Sequence, residues 1–217
     1  MKFSLTNHEL SCYLCAQLNN YFPDKDLISS NQLEKHMVYA MQRVEYCFSK
    51  INNKYFFDGN NVVFNHLHAD QYAMFLYYLS NSIYKLGGDL NVCSKIFLLN
   101  KVLNGVDAFY EVALPDIFLM VHPLATVLGR GEYSDFFLVY QRCGIGSNHD
   151  IYPKLEKFVS MHPGSSILGN CLIGNNCTIA AESLLLDHNL DDRSLYIGNP
   201  KNHYIKSSDT VSNFWHL

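Results

Sequence analysis

The sequence predicts an α+β chain: a helical N-terminal domain over residues 1–115, a short parallel coil of hexapeptide repeats over 116–190, and a C-terminal tail over 191–217. Two periodicities and one rule of residue size predict it. Before Pro115 apolar residues recur at helical spacing, and after it they recur at every sixth position. Within the hexads, the fifth residue is almost always small or β-branched.

Asn31–Ile51 carries Leu33, Met37, Ala40, Met41, Val44 and Phe48 on one helical stripe, with Asn31 and Glu34 spaced as a capping pair. Tyr55–Asn60 reads as a short strand and turn. Asp70 opens a strongly apolar helix that runs through Tyr84 and is closed by Gly87-Gly88, and a further helix covers Leu90–Leu103 before Asn104-Gly105.

In the second half Val121, Val127, Tyr133, Val139 and Ile145 share one register. After a four-residue insertion the beat resumes at Leu155, Met161, Ile167, Ile173, Ile179 and Leu185. The fifth positions are Ala125, Gly131, Phe137, Cys143, Val159, Ser165, Cys171, Cys177 and Ser183, of which only Phe137 is large. Each hexad is expected to form one short side of a three-sided coil, its lead residue filling the prism and its small residue letting the chain turn the corner. Eleven hexads at three per coil make about 3.7 turns. So short a coil leaves open ends that the helical half and the tail are expected to cover.

Sixteen Lys and Arg against twenty Asp and Glu give a net charge of −4, which argues against a nucleic-acid surface built on a basic face. Apolar residues make up 48% of the chain, but no apolar run approaches the ~18 residues of a membrane span, and no signal peptide is read at the start. A cytoplasmic protein is expected. The seven cysteines follow neither disulfide nor zinc spacing, the Cys12–Cys15 pair having no second pair to complete a ligand set, so no metal is expected.

Val121-His122-Pro123-Leu124-Ala125, Gly129-Arg130-Gly131, Ser166–Asn170, Ile173–Ser183 and Ile197-Gly198-Asn199-Pro200-Lys201 resemble the hexapeptide-repeat acyltransferases. The helical half places the resemblance in the serine acetyltransferase branch. Leu114–Phe118, Gly129–Asp135 and Tyr140-Gln141 look like the serine acetyltransferase-like proteins of bacterial surface-polysaccharide biosynthesis. The likeness runs from about Asp70 onward. It implies a left-handed β-helix, a homotrimer or dimer of trimers, acetyl-CoA held between neighbouring coils, and transfer of acetyl to a sugar hydroxyl or amine. L-serine is the alternative acceptor, and a catalytically idle trimeric scaffold is the alternative from another class.

Thioester acyl transfer needs a base for the acceptor proton, and histidine suits it because its pKa lies near neutrality. His149 stands first, since it lies in the only insertion among the hexads, with Asp150 available to orient it. His122 stands second, beside the lead Val121. Where the family carries its catalytic Asp before the His-Pro pair, this chain has Met120; where the family has Asp-His after Gly-Arg-Gly, it has Asp135-Phe136. Glu111, Asp116, Asp135, Tyr140 and Gln141 are candidates for the acceptor. The resemblance places the coenzyme along Ser160, His162, Pro163, Ala180, Ala181, Gly198, Pro200, Lys201 and Lys206.

Overall fold

A computed structural model describes residues 1–208 and 213–216. β1 (Lys2–Phe3) leads into α1 (Asn7–Tyr21) and α2 (Ser30–Ser49). β2 (Val63–Phe64), which pairs in parallel with β1, precedes α3 (Ala69–Lys85) and α4 (Leu90–Asn104). α1 is an addition to the helices read from sequence. It starts at a reciprocal capping box, Thr6 accepting from the Glu9 amide while Glu9 accepts from that of Thr6. α2 uses the same device at Ser29 and Gln32, which corrects the expected Asn31–Glu34 pair. Tyr55–Asn60 forms turns ending in a Phe57–Val62 bridge. α3 is buried on every side from Asp70 to Ile83 and is the central element of the half. α4 is capped by Asp89, which accepts from the Asn91 amide, and ends at left-handed Gly105.

β3 (Val106–Asp107) joins the helices to the coil. The first turn comprises β4 (Phe118–Met120), β5 (Thr126–Leu128) and β6 (Glu132–Tyr133), and the second β7 (Phe137–Val139), β8 (Gly144–Gly146) and β9 (Lys154–Leu155). β10 (Ser160–Met161), β11 (Ser166–Leu168) and β12 (Leu172–Ile173) make the third. β13 (Thr178–Ile179) and β14 (Leu184–Leu186) make the fourth, whose third side is a bridge from Ile173 to Leu190. β15 (Ser194–Asn199) then pairs in parallel with β13, and β16 (Asn202–Ser207) folds back antiparallel on it. Three sheets result, in the orders β4-β7-β10-β13-β15-β16, β5-β8-β11-β14 with β3 at its head, and β6-β9-β12.

The coil has about five turns, not 3.7. The hexad count loses the last one because the beat slips by one residue: Leu190, not Asp191, follows Leu185 inside the prism, and Tyr196 follows Leu190, paired with Ile179. A second slip affects the first turn. Met120 and Leu128, paired with Val139 and Ile145, fill the interior there, while Val127 points outward and is 48% exposed. From Val139 to Leu185 every predicted lead is buried.

The corners explain the rest of the hexad. Phe136, Arg142, Phe158, Asn176 and Glu182 each stand three residues after a lead and adopt left-handed backbone, φ 57 to 66°. The fifth-position cysteines pack inside these corners and donate to main-chain carbonyls: Cys143 Sγ to His162 at 3.1 Å, Cys171 Sγ to Leu168 at 3.2 Å and Cys177 Sγ to Asp191 at 3.1 Å. Their odd number is a packing outcome.

The expected tail is in part coil, and its residues 209–212 and 217 lie outside the described residues. The segment 213–216 returns to the helical half. The Asn52 amide donates to Phe214 O at 2.7 Å, the His216 amide to Lys50 O at 2.8 Å, and Ile51 bridges Trp215. It crosses the outer side of β7, Trp215 edge-on to Phe136 and Phe214 edge-on to Tyr140.

Candidate active site

Successive turns stack equivalent residues at the corner between the first and second sheets. The Tyr140, His162 and Ala180 amides donate to the carbonyls of Met161, Ile179 and Tyr196 at 3.1, 3.0 and 2.9 Å, so these residues form a column with Gln141, Pro163 and Ala181 beside them. The Tyr140 and His162 rings stack at 5.3 Å and 24°. Burial depresses the His162 imidazole below its ordinary range and raises the Tyr140 hydroxyl. Gln141 Oε1 is buried without a partner among the described residues, and Arg142 pairs with Glu182 over Gly164. Ser160 is buried within the ladder between Leu138 and Thr178.

Gly198 extends the Gln141–Pro163–Ala181 side of the column onto β15 with φ +113°, where any Cβ would clash with the Asn202 carbonyl. Pro200 and Lys201 form the turn to β16, and Lys201 and Lys206 are exposed.

Val121 heads this column, and His122 heads the neighbouring one of Gln141, Pro163 and Ala181. The Val121 amide donates to Val139 O at 2.9 Å, which sets His122 beside Gln141. The His122 side chain is exposed, its backbone is left-handed at φ 49°, and its Nδ1 lies 3.8 Å from Oδ2 of Asp70. Asp70 is buried in the first turn of α3, where the helix dipole favours a carboxylate. Sequence reasoning missed Asp70. An acidic residue in a first turn looks like helix punctuation, and only the docking of α3 on the coil brings it to His122.

His149 occupies a different corner, between the second and third sheets. Asn148 and Ile151 exchange both backbone hydrogen bonds, 3.1 and 3.0 Å, around His149 at φ 49° and Asp150 at φ 60°, a tight turn of the I′ kind. Asn148 Nδ2 donates to Asp187 Oδ2 at 2.6 Å, tying the turn to the coil. His149 and Asp150 are both exposed and make no ion pair with each other.

Among the acceptor candidates Asp135 accepts the Ile117 amide at 3.0 Å and fixes the start of β4. Asp116 and Glu111 are exposed at the junction. A cleft of about 570 Å³ lies between the α1–α2 link and the start of α4, lined by Lys25, Asp26, Gln32 and Asp89, and none of the predicted residues lines it. Among the described residues no group of three or more His, Cys, Asp or Glu could hold a metal, and no helix is long and apolar enough to cross a membrane.

No protein-family model and no curated protein matches the chain. Solved structures do. The serine acetyltransferase of Neisseria gonorrhoeae superposes with a TM-score of 0.70 at 17% identity, over 94% of this chain and 80% of that one. A serine acetyltransferase in complex with cysteine gives 0.71 at 18%, over 95% and 82%. The Brucella abortus strain S19 serine acetyltransferase in complex with coenzyme A gives 0.70 at 14%, over 96% and 85%. The chain has the serine acetyltransferase fold. Superposition preserves hand, so the coil is the left-handed β-helix of that fold. Within the serine acetyltransferase fold, the two positions that the sequence leaves without the family's catalytic pair are apolar. Met120 is sealed in the prism, and Phe136 stacks on Phe158 at 4.4 Å with Trp215 against its edge.

Proposed function

We propose that the protein is an acetyl-CoA-dependent O-acetyltransferase, working as a cytoplasmic homotrimer, in which His122 is the general base and Asp70 orients it. The observation that carries this is the Asp70–His122 pair at 3.8 Å, set at the head of the column that suits the coenzyme. Catalytic hydrogen bonds are often long in free enzymes and tighten around substrate. His122 takes the acceptor hydroxyl proton as the oxygen bonds to the thioester carbonyl carbon. On collapse of the tetrahedral adduct the carbon–sulfur bond breaks and the imidazolium returns the proton to the coenzyme thiolate. The buried Asp70 carboxylate stabilises the imidazolium in between.

Ala180, Ala181 and Gly198 present a thin wall along which a pantetheine arm can lie, and Lys201 and Lys206 stand at its far end for phosphate. A coenzyme A complex among the structural neighbours supports this donor. The open corners of a single coil favour completion of the site by a neighbouring subunit. For the acceptor, the apolar residues at Met120 and Phe136 favour a sugar hydroxyl of a surface-polysaccharide precursor; the serine acetyltransferase neighbours favour L-serine with equal weight.

Thermal unfolding with acetyl-CoA and with desulfo-coenzyme A tests the donor. Both ligands are expected to raise the midpoint, by linkage between binding and folding. Stabilisation by neither would overturn the enzyme reading in favour of the scaffold.

A further inference from the structure

Arg43 lies on α2, buried at 9% exposure against α3. Its Nη1 donates to Ser82 Oγ at 2.9 Å, Asn81 Oδ1 at 3.0 Å and Tyr78 O at 3.4 Å, and the guanidinium lies over the Tyr78 ring at 4.9 Å. Among the described residues, Nη2 is buried with no hydrogen-bond partner and no carboxylate oxygen comes within 4.0 Å of the group. A buried cation with neither a counter-ion nor a full set of acceptors is costly, and the cost disappears when an anion arrives.

A cavity of about 220 Å³ is lined by Arg43 together with Tyr39, Gln42, Tyr46 and Asp116. Tyr39 and Tyr46 are 41% and 51% exposed, so two aromatic rings stand at the surface on either side of a buried positive charge. Asp116 supplies the opposite charge. Its backbone is held in place by the Tyr78 hydroxyl, which donates to Asp116 O at 3.0 Å, while its carboxylate stays exposed.

We propose that this cavity binds a free α-amino acid with an apolar side chain. The ligand carboxylate satisfies Arg43 Nη2, its ammonium pairs with Asp116, and its side chain lies between Tyr39 and Tyr46. Two opposite charges held apart across a cavity select a zwitterion. Phosphate or a simple carboxylate would meet repulsion from Asp116, and a simple amine would leave Arg43 unsatisfied. The tyrosines supply apolar area and a π-face near the ammonium, which a serine hydroxyl would not use. The site is separate from the proposed base and the coenzyme column, neither of which lines it; of the residues considered for the acetyl acceptor, only Asp116 does.

Calorimetric titration of the full chain, without acetyl-CoA, tests it. L-phenylalanine is expected to bind saturably at one per chain, with 3-phenylpropionate, phenethylamine and inorganic phosphate each weaker by about tenfold or more, the order lost with one charge-assisted hydrogen bond. Asp116→Asn and Tyr39→Ala change exposed residues, so their thermal midpoints should hold while L-phenylalanine affinity falls about tenfold or more. Arg43→Gln should abolish binding where it folds, and the two surface variants decide the matter where it does not. No saturable binding of L-phenylalanine, equal binding of the two single-charge analogues, or undiminished affinity in both surface variants would each overturn the proposal. A failed acetyl-transfer assay would leave it untouched, because the readout is binding alone.

Discussion

Asp70 of α3 and His122 of the first coil turn meet across the junction of the two halves, Oδ2 to Nδ1 at 3.8 Å. The carboxylate is buried and the imidazole is exposed, so the helical half holds a fixed negative charge against a ring that stays open to substrate.

Asp70→Asn is expected to keep the fold and to lower kcat by about 10–10²-fold with little change in KM, because the amide no longer stabilises the imidazolium formed in the transition state. Steady-state kinetics reads both kcat and KM. Unchanged kcat with an altered KM would mean that Asp70 only shapes binding.

The prism interior carries the coil. Ile173 and Met161 are fully buried leads in its middle turns, and truncation of either to Ala is expected to cost about 2–5 kcal/mol through lost contacts and a residual cavity. Val127→Ala, at an outward-facing lead, should change stability by less than about 0.5 kcal/mol. Urea unfolding of the three variants checks the slip in the first turn, which is the only reason for Val127 to differ from the others.

Trp215 is the single tryptophan and is 6% exposed between α2 and the outer side of β7. Its emission should be blue-shifted in the folded protein and should move to the red in one step with global unfolding. Trp215→Ala is expected to cost about 3–5 kcal/mol, as for other buried large aromatics. Retention of full stability would mean that the returning segment adds nothing to the junction.

His162 and His36 both carry pKa values held below the ordinary 6.5 by burial. Between the unfolded value and the lower folded ones the unfolded chain binds more protons. Stability is therefore fully present above about pH 6.5 and declines as pH falls through the window beneath it. The denaturation midpoint at pH 5 should lie below that at pH 7.5, and His162→Gln should narrow the difference.

The repeat was legible because one physical constraint, a filled prism with tight corners, recurs at fixed spacing. Val139, Ile167 and Cys171 announce their places from sequence alone. It failed at both ends, where Met120–Leu128 and Leu185–Leu190 absorb an extra or missing residue and throw off a strict count of six. α1 escaped notice because its apolar stripe of Leu10, Leu14 and Leu18 is thin, although the Thr6–Glu9 box was there to be read. Tyr140, His162 and Ala180 could be placed together, since the coil stacks them by register. Asp70 could not be placed beside His122, because their meeting depends on how a helix docks on a coil fifty-two residues away, which no local pattern encodes.

The sharpest test compares His122→Ala with His149→Ala in acetyl transfer, measured as coenzyme A thiol release from acetyl-CoA with L-serine and, separately, a nucleotide sugar as acceptor. His122→Ala is predicted to lose about 10²–10⁴-fold in kcat with fold and coenzyme affinity intact, while His149→Ala stays near wild type. The reverse pattern, with the loss at His149, would contradict the account and move the base to the I′ turn of the second corner.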